Sequence, residues 1–258
     1  MALVLRCASE LIAVDESIAQ MSRPRVHVGA FEATSQGSAL PRFAIERVKG
    51  LHLHGGLRLE TPLGAATVLL EDTRLQVDIE EGPFLGELAL RLGYFVLTSR
   101  LGGILIHASA LGLGADGPCV VACGQSGDGK STLARLCSGY PALQVLTDEV
   151  VQIFPDGTAG GTPFRSDMDN VGRPGLRRAK YFVALRKAAH EALEPLETMT
   201  AVTLGVAQAF EPHAYALPRV EARRRLMQFL SAVELGTLAF RKDPAVGPFV
   251  ASQLSGSP

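Results

Sequence analysis

A glycine-rich loop between an apolar segment and a helical pattern limits the fold of this chain more than any other feature. The segment "VVACGQSGDGKSTLARL" (residues 120–136) places Gly124, Gly129, Lys130 and Ser131 in the spacing G-x-x-x-x-G-K-[ST]. Glycines permit a tight turn whose backbone N–H groups converge on an anion. A helix that begins at the end of such a loop directs its positive end at the same point. The pattern therefore predicts a strand, a phosphate-binding loop and a helix in succession.

The residue types of this loop indicate a nucleoside triphosphate, and we expect ATP with Mg²⁺. A lysine supplies a mobile charge for the β- and γ-phosphates. Of the two hydroxyl residues after it, the first can bind Mg²⁺ and the second can reach the α-phosphate side. The alternative is a glycine-rich turn without a ligand. The predicted nucleotide-binding residues are Gly124, Gln125, Ser126, Gly127, Asp128, Gly129, Lys130, Ser131 and Thr132.

Two adjacent carboxylates follow the next apolar segment. In "LQVLTDEVVQI" (residues 143–153), Asp148 and Glu149 come directly after a predicted strand. One carboxylate can hold Mg²⁺ together with Ser131, and the other can accept the proton of an attacking hydroxyl. We predict that Asp148 and Ser131 are the metal ligands, and we leave open which acid is the base. The alternative is a solvated acidic pair.

The chain divides unevenly along its length. Between residues 25 and 79, short alternating segments punctuated by Gly, Pro and Asp predict antiparallel β-hairpins. Residues 83–103 have a helical period, and the rest of the chain mixes strands with helices. We therefore predict a β-rich region at 1–82 and a second domain at 83–258. The terminal "ASQLSGSP" is expected to be loose.

Composition excludes several classes of function. The net charge of −1 gives no reason to expect nucleic acid or an anionic membrane as a partner. We find no signal peptide, and no apolar run reaches the roughly 18 residues that cross a bilayer. We therefore expect a cytoplasmic protein. Four cysteines lack zinc-site spacing, Cys119 and Cys123 are expected to be buried, and His52 and His54 are interpreted as structural.

The stretch "IHASALGLGADGPCVVACGQSGDGKSTLARL", with the later "VLTDEVVQI" and "GTPF", resembles the catalytic domain of HPr kinase/phosphorylase and its shorter relatives. The resemblance covers about residues 83–249. It implies a fold closer to phosphoenolpyruvate carboxykinase than to common P-loop kinases. We therefore expect a mixed α+β and α/β fold, with an N-terminal antiparallel β-rich region and a P-loop domain of mixed central sheet and flanking helices. By matching positions, His107 corresponds to the family's strand histidine, and Lys130 and Ser131 to its phosphate and metal groups. Asp148 and Glu149 correspond to its Asp-Asp pair, which serves Mg²⁺ and the general base.

The same resemblance implies an ATP-dependent kinase that phosphorylates a serine or related hydroxyl of a peptide or protein. Three features depart from the family. Glu149 stands where the family has a second Asp, the N-terminal region differs from that of the bifunctional enzyme, and the glycine-rich signature tied to phosphorolysis is missing. The alternatives are an ATP-gated binding protein with little turnover and a small-molecule kinase. Self-association into a homo-oligomer is left open, as is packing or phosphate contact for His107.

Five basic residues lie between Gly160 and Lys180. Arg165 is best placed by sequence to stabilise the transferring charge. We predict that this segment and the N-terminal β region form the acceptor site, and the alternative is a solvated loop. The helical "EARRRLMQFL" is interpreted as a solvated basic face, with Arg223 to Arg225 as a second choice for the acceptor. The other basic residues of the segment are Arg173, Arg177, Arg178 and Lys180.

Overall fold

Two β-sheets organise the described chain. The computed structural model describes the backbone of six strands within residues 3–79. It describes residues 95, 98, 99, 101–162, 164, 175–210 and 218–256 together with their side chains. Each sheet is formed from one part of the chain, because the first sheet uses only residues before 80 and the second only residues after 103. A domain boundary near residue 82 stays a prediction.

The first sheet has the strand order β2-β1-β6-β5-β4-β3. Strands β3 to β6 pair antiparallel in sequence order, and each pairing leaves two residues for the connection, as in β-hairpins. Strand β1 pairs parallel with β6. Of the predicted segments, those at 25–31 and 42–48 lie outside the described residues. The strands are β1 Leu3–Cys7, β2 Glu10–Leu11, β3 Lys49–Leu53, β4 Gly56–Thr61, β5 Gly64–Glu71 and β6 Arg74–Ile79.

The second sheet has eight strands in the order β11-β10-β7-β8-β12-β14-β13, with β9 also beside β7. It is mixed, because β8, β12 and β14 are parallel to one another whereas β7 runs antiparallel to β8. Its strands are β7 Ile104–Leu113, β8 Cys119–Cys123, β9 Leu143–Thr147, β10 Val150–Ile153, β11 Thr158–Gly160, β12 Leu176–Lys187, β13 Ala192–Pro195 and β14 Glu234–Phe240.

Four described helices flank this sheet. Helices α1 (Lys130–Ser138) and α4 (Val246–Ser255) contact each other and share one apolar cluster with the sheet. Helices α2 (Thr198–Gln208) and α3 (Arg219–Ser231) also contact each other and belong to a second cluster. This part of the chain therefore has a mixed α/β fold, with a central mixed sheet and flanking helices, as the sequence predicted.

Strand β8 shows why its sequence is apolar throughout. Cys119, Val121 and Cys123 belong to the cluster of α2 and α3, whereas Val120 and Ala122 belong to the cluster of α1 and α4. Successive strand residues point to opposite faces, and here both faces are covered. The predicted burial of the two cysteines is confirmed, since neither is exposed to solvent.

The expectation of a loose C-terminus is wrong for residues 251–255. These residues form the second half of α4, which presents Val246, Val250 and Leu254 on one buried stripe. The spacing of four residues is that of a helix face. Gly247 allows the helix to approach Tyr140, because a Cβ there would lie 2.9 Å from the Tyr140 Cβ. Helix α4 is therefore part of the core.

The basic residues at the start of β12 have structural partners. Arg177 is 7% exposed, and its guanidinium donates to the carbonyls of Leu113 (3.3 Å) and Gly114 (2.8 Å) and to Oε1 of Gln144 (2.7 Å). Arg178 donates to the carbonyls of Asp156 and Ala232, and Lys180 to those of Gln253 and Gly256.

These residues also lie far from the phosphate-binding loop. Strand β12 is parallel to β8, and Ala184 is the residue beside Cys123, where the loop begins. Arg177 precedes Ala184 by seven residues, which corresponds to about 23 Å along a strand. These positions argue against an acceptor role for Arg177, Arg178 and Lys180, and the acceptor site formed by the segment from Gly160 to Lys180 with the N-terminal β region stays a prediction. Arg165 and Arg173 lie outside the described residues.

The predicted basic face of α3 is divided. Arg223 and Arg224 are exposed, and Arg224 pairs with Glu221 through two bonds of 2.6 Å. Arg225 also donates to Glu221 (2.7 Å), and its guanidinium further donates to the carbonyls of Ser99 (2.6 Å) and Gly103 (3.1 Å). Part of the basic sequence thus holds the helix to the segment that enters β7.

We predict that Arg177→Ala lowers the free energy of unfolding by about 2–4 kcal/mol, because three half-buried acceptors lose their donor. ATP affinity should stay near that of the wild type. Arg186→Ala is the matched control, since this exposed arginine of the same strand pairs with exposed Glu194. It should cost less than about 1 kcal/mol. Urea unfolding and calorimetry measure both. A stable Arg177→Ala variant with weakened ATP binding would contradict this structural role.

Candidate functional site

The glycine-rich loop occupies the end of β8 and leads directly into α1. Gly127 and Gly129 have φ angles of 92° and 105°, in the left-handed region that favours glycine. The aromatic ring of Phe240 lies under the loop, because a Cβ on Gly129 would be 3.2 Å from its Cζ. The first intrahelical bond joins the Gly129 carbonyl to the N–H of Leu133 at 2.8 Å. The strand, loop and helix thus follow the order that the motif predicts.

Lys130 lies within the loop. Its side chain is 6% exposed, and its ammonium donates to the carbonyls of Gly124 (2.8 Å) and Gln125 (3.1 Å). Helix α1 begins at this residue, so the charge is placed beside the positive end of the helix. The two together make the loop an electropositive pocket for an anion.

Asp128 holds the loop closed from the other side. Its Oδ2 accepts the backbone N–H of Gln125 at 2.6 Å. The loop is narrow at this point, because a Cβ on Gly124 would lie 2.9 Å from the Asp128 side chain. Asp128, predicted only as a loop residue, therefore also shapes the loop.

The remaining predicted loop residues differ in exposure. Gln125, Ser126 and Gly127 are exposed, as expected of the side of a loop that meets a ligand. Ser131 and Thr132 are half-buried in the first turn of α1. Their hydroxyls follow Lys130 directly, so the structure brings the predicted metal ligand and the phosphate lysine onto the same helix end.

Asp148 and Glu149 form a bend between β9 and β10. Strand β7 pairs with β10 up to the pair His107–Val150, and it pairs with β9 from the pair Ala110–Thr147 onward. Two residues lie between these pairs on each side, so the bend adds no extra residue relative to β7. Asp148 is 3% exposed, whereas Glu149 is half-buried. The two acids therefore stand in different surroundings although they are adjacent in the chain.

Strand β7 brings the acids level with the loop. Ala108 pairs with Cys123, the last residue of β8, on one edge. On the other edge the N–H of Ala108 donates to the carbonyl of Glu149 at 3.1 Å. The start of the loop and the acidic bend thus lie on either side of one strand, about 10 Å apart at two strand spacings. That distance suits a phosphate group and a cation between them.

Thr147 organises the acidic bend and was missed in the sequence. Its buried hydroxyl accepts the N–H groups of Glu149 and Val150, both at 3.3 Å, and donates to the carbonyl of Phe164 at 3.2 Å. Thr162 adds a bond of 2.8 Å to the carbonyl of Val150. A signal for this role exists, since a threonine just before an acidic pair can bond the backbone two residues on.

His107 lies at the same end of the sheet as the loop. Its half-buried ring meets that of Phe210 edge-on at 6.4 Å and 89°. The chain after α2 closes this edge, since Phe210 donates its N–H to the carbonyl of Leu105 at 2.9 Å. The ring contact fits the packing role for His107, and a role in contacting phosphate stays a prediction. Arg165 lies outside the described residues.

Cys123, beside the loop, is not a nucleophile. Burial raises the pKa of its thiol to about 12, against a smaller opposing effect of the Lys130 ammonium. Burial likewise raises the pKa of Cys119 and Cys137 to about 12. Thiols with such pKa values stay protonated at neutral pH. The chemistry of this site therefore falls to oxygen and nitrogen groups.

The donors near the loop fit a hard cation. Among the described residues, no group of three or more His, Cys, Asp or Glu side chains could hold a metal by itself. Ser131 and Asp148 supply a hydroxyl and a carboxylate, which are the oxygen ligands that Mg²⁺ takes beside waters and phosphate oxygens. In nucleotide sites of this kind, Mg²⁺ is bound through one or two protein groups together with the nucleotide.

No described helix has the length and apolarity of a membrane span.

Comparison with known proteins supports nucleotide binding by this chain. The chain is 33% identical over 123 residues to a protein of Halobacterium salinarum named as an ABC transporter ATP-binding protein. The match covers 47% of this chain and 43% of the relative, so the chain spans less than half of that protein's length. No protein-family model matches the chain. The similarity agrees with a P-loop nucleotide-binding ATPase, and it does not confirm the resemblance to the HPr kinase family.

We predict that Gly129→Ala weakens ATP binding and lowers the free energy of unfolding by about 1–2 kcal/mol, since an L residue is strained at this φ. Gly139→Ala is the control, because Gly139 has φ −79° and an added Cβ would meet nothing closer than 3.8 Å. It should change stability by less than about 0.5 kcal/mol. Calorimetric titration and urea unfolding test both variants. Unchanged ATP affinity in Gly129→Ala would show that binding does not need this loop shape.

We also predict that Thr147→Val lowers the free energy of unfolding by about 1–3 kcal/mol, because the bend loses the acceptor of two N–H groups. Amide exchange of Glu149 and Val150, followed by NMR, should accelerate. Thr162→Val removes one nearby hydroxyl bond and serves as the control, with exchange of the Glu149 amide unchanged. Equal protection of that amide in wild type and Thr147→Val would show that another contact holds the bend.

Proposed function

We propose that the chain is an ATP-dependent phosphotransferase that moves the γ-phosphoryl group to a serine or related hydroxyl of a peptide or protein. One observation carries the proposal: the phosphate-binding loop and the acidic bend flank Ala108 of β7 on opposite edges. Phosphoryl transfer needs the phosphates held on one side and carboxylates beyond the γ-phosphate on the other. The resemblance to the short HPr-kinase-like proteins supports the same reaction.

The residues divide the work by position. The loop amides and the Lys130 ammonium hold the phosphates, with Ser131 and Asp148 as ligands of Mg²⁺. The cation, when bound, neutralises charge on the phosphate oxygens. His107 and Arg165 are proposed to contact the transferring group.

The burial of the two acids suggests their separate roles. Asp148 is 3% exposed, whereas Glu149 is half-buried. A buried carboxylate next to a cation keeps its charge, which suits a metal ligand. A more open carboxylate can reach an incoming hydroxyl and accept its proton. We therefore propose Glu149 as the base, in the position where the family has an Asp.

ATP hydrolysis is a second candidate, favoured by the similarity to an ATP-binding protein of the ABC transporter class. The same loop and acids could direct a water at the γ-phosphate. The two candidates differ in whether an acceptor is required. We propose that the N-terminal β-rich region supplies the acceptor site, since a sheet edge can take an extended peptide as an added strand.

We predict that the wild-type protein transfers phosphate from ATP to a serine peptide in the presence of Mg²⁺. Lys130→Met should lose both ATP binding and transfer. Glu149→Gln should keep ATP binding, and its transfer rate should fall at least about 100-fold. Exposed Glu194 on β13 gives the control Glu194→Gln, which should behave as wild type. Transfer is read from labelled γ-phosphate, binding by calorimetry.

Two outcomes separate the candidate functions, and a third tests the base. Phosphate release at the same rate with and without peptides indicates hydrolysis. ATP binding without release or transfer indicates the ATP-gated binding protein. Wild-type transfer in Glu149→Gln would exclude Glu149 as the base.

A further inference from the structure

A buried hydroxyl near the acidic bend has no hydrogen-bond partner. Among the described residues, two buried side-chain oxygens lack one, those of Ser99 and Ser109. Ser109 has no exposed surface, so bulk solvent does not supply the partner either. Burying a hydroxyl without a hydrogen bond costs folding free energy. Such a group in a folded protein is commonly explained by an ion or water that it contacts.

Ser109 lies opposite Asp148. The pairs His107–Val150 and Ala110–Thr147 enclose two residues on each strand, and this count places Ser109 across from Asp148 in the bend. Residues opposed in an antiparallel pair have Cβ atoms about 4.5–5.5 Å apart and share a face. On its other edge Ser109 pairs with Ala122 of β8.

The same face of the sheet carries α1. Ala122 belongs to the apolar cluster that includes Leu133 and Ala134 of α1. Because Ser109 shares the face of Ala122, its hydroxyl is on the side of the helix whose first turn holds Ser131. Ser109 is thus level with Asp148 by register and faces the helix that carries Ser131.

We propose that the Ser109 hydroxyl is part of the divalent-cation site and acts as a positioning residue for it. A hydroxyl both donates and accepts, so it can bond a water ligand of a cation held by Asp148 and Ser131. Mg²⁺ characteristically keeps several waters when it binds with a nucleotide. Groups that contact such a shell affect affinity about 10–100-fold. This inference rests on the proposed binding of ATP with Mg²⁺.

The test is Ser109→Ala, titrated with ATP in MgCl₂ and in EDTA. We expect about tenfold weaker binding in MgCl₂ and unchanged binding in EDTA. Mn²⁺ bound in the presence of ATP, measured by electron paramagnetic resonance, should weaken in parallel. The Tm of the protein without nucleotide should not fall, because the hydroxyl holds no partner within the fold.

Ser99→Ala is the matched control. It removes the other unpartnered buried hydroxyl, and Ser99 lies before β7, where its carbonyl accepts the N–H of Gly102. Six residues from Gly103 to Ser109 correspond to about 20 Å of strand, so this serine is remote from the acids. Ser99→Ala should leave ATP and Mn²⁺ affinity unchanged with and without the cation.

Two results would overturn the inference. The first is an equal ATP affinity of Ser109→Ala and the wild type in MgCl₂. The second is a lower Tm of Ser109→Ala without nucleotide, which would reveal that the hydroxyl has a contact within the fold. Failure of the proposed binding of ATP with Mg²⁺ gives a different result. In that case the wild type itself shows no ATP binding that depends on Mg²⁺, and the role of Ser109 is excluded with it.

Discussion

The arrangement of the site depends on the hydrogen bonds along both edges of β7. This ten-residue strand pairs with β8 on one edge and with β9 and β10 on the other. Buried backbone groups must find partners, so a strand between two neighbours has its register fixed from both sides. A slip of one residue would turn each side chain to the opposite face. The distance between the loop and the acids is therefore a property of one strand and its two neighbours.

The charged groups of this site have hydrogen-bond partners in the same loop. The buried ammonium of Lys130 is surrounded by loop carbonyls, and the Asp128 carboxylate accepts an amide of the same loop. A buried charge without such partners is costly. The hydroxyl of Thr147 contributes in the same way at the bend, where it joins two N–H groups and a carbonyl. Polar contacts within the chain thus set the local shapes of both halves of the site.

The sequence predicted those parts whose signal is local. The glycine spacing marked the loop, and apolar runs marked β8 and the helix after the loop. The inward direction of Arg177 could not be predicted, because its three acceptors come from segments more than thirty residues away. Ser109 was missed for a similar reason, since its neighbour Asp148 is set by strand pairing. Helix α4 was missed because small and polar residues hide its buried stripe.

The bonds of Lys130 bear on which ligands the loop can select. Its ammonium already has two carbonyl acceptors, so an incoming group must offer at least as much negative charge to draw it away. A nucleoside or monophosphate offers little at the position of the β- and γ-phosphates. In the proposed complex with a nucleotide, Lys130 would therefore discriminate by phosphate number and not by base, and any preference among adenine, guanine and the pyrimidines would come from side chains elsewhere in the chain.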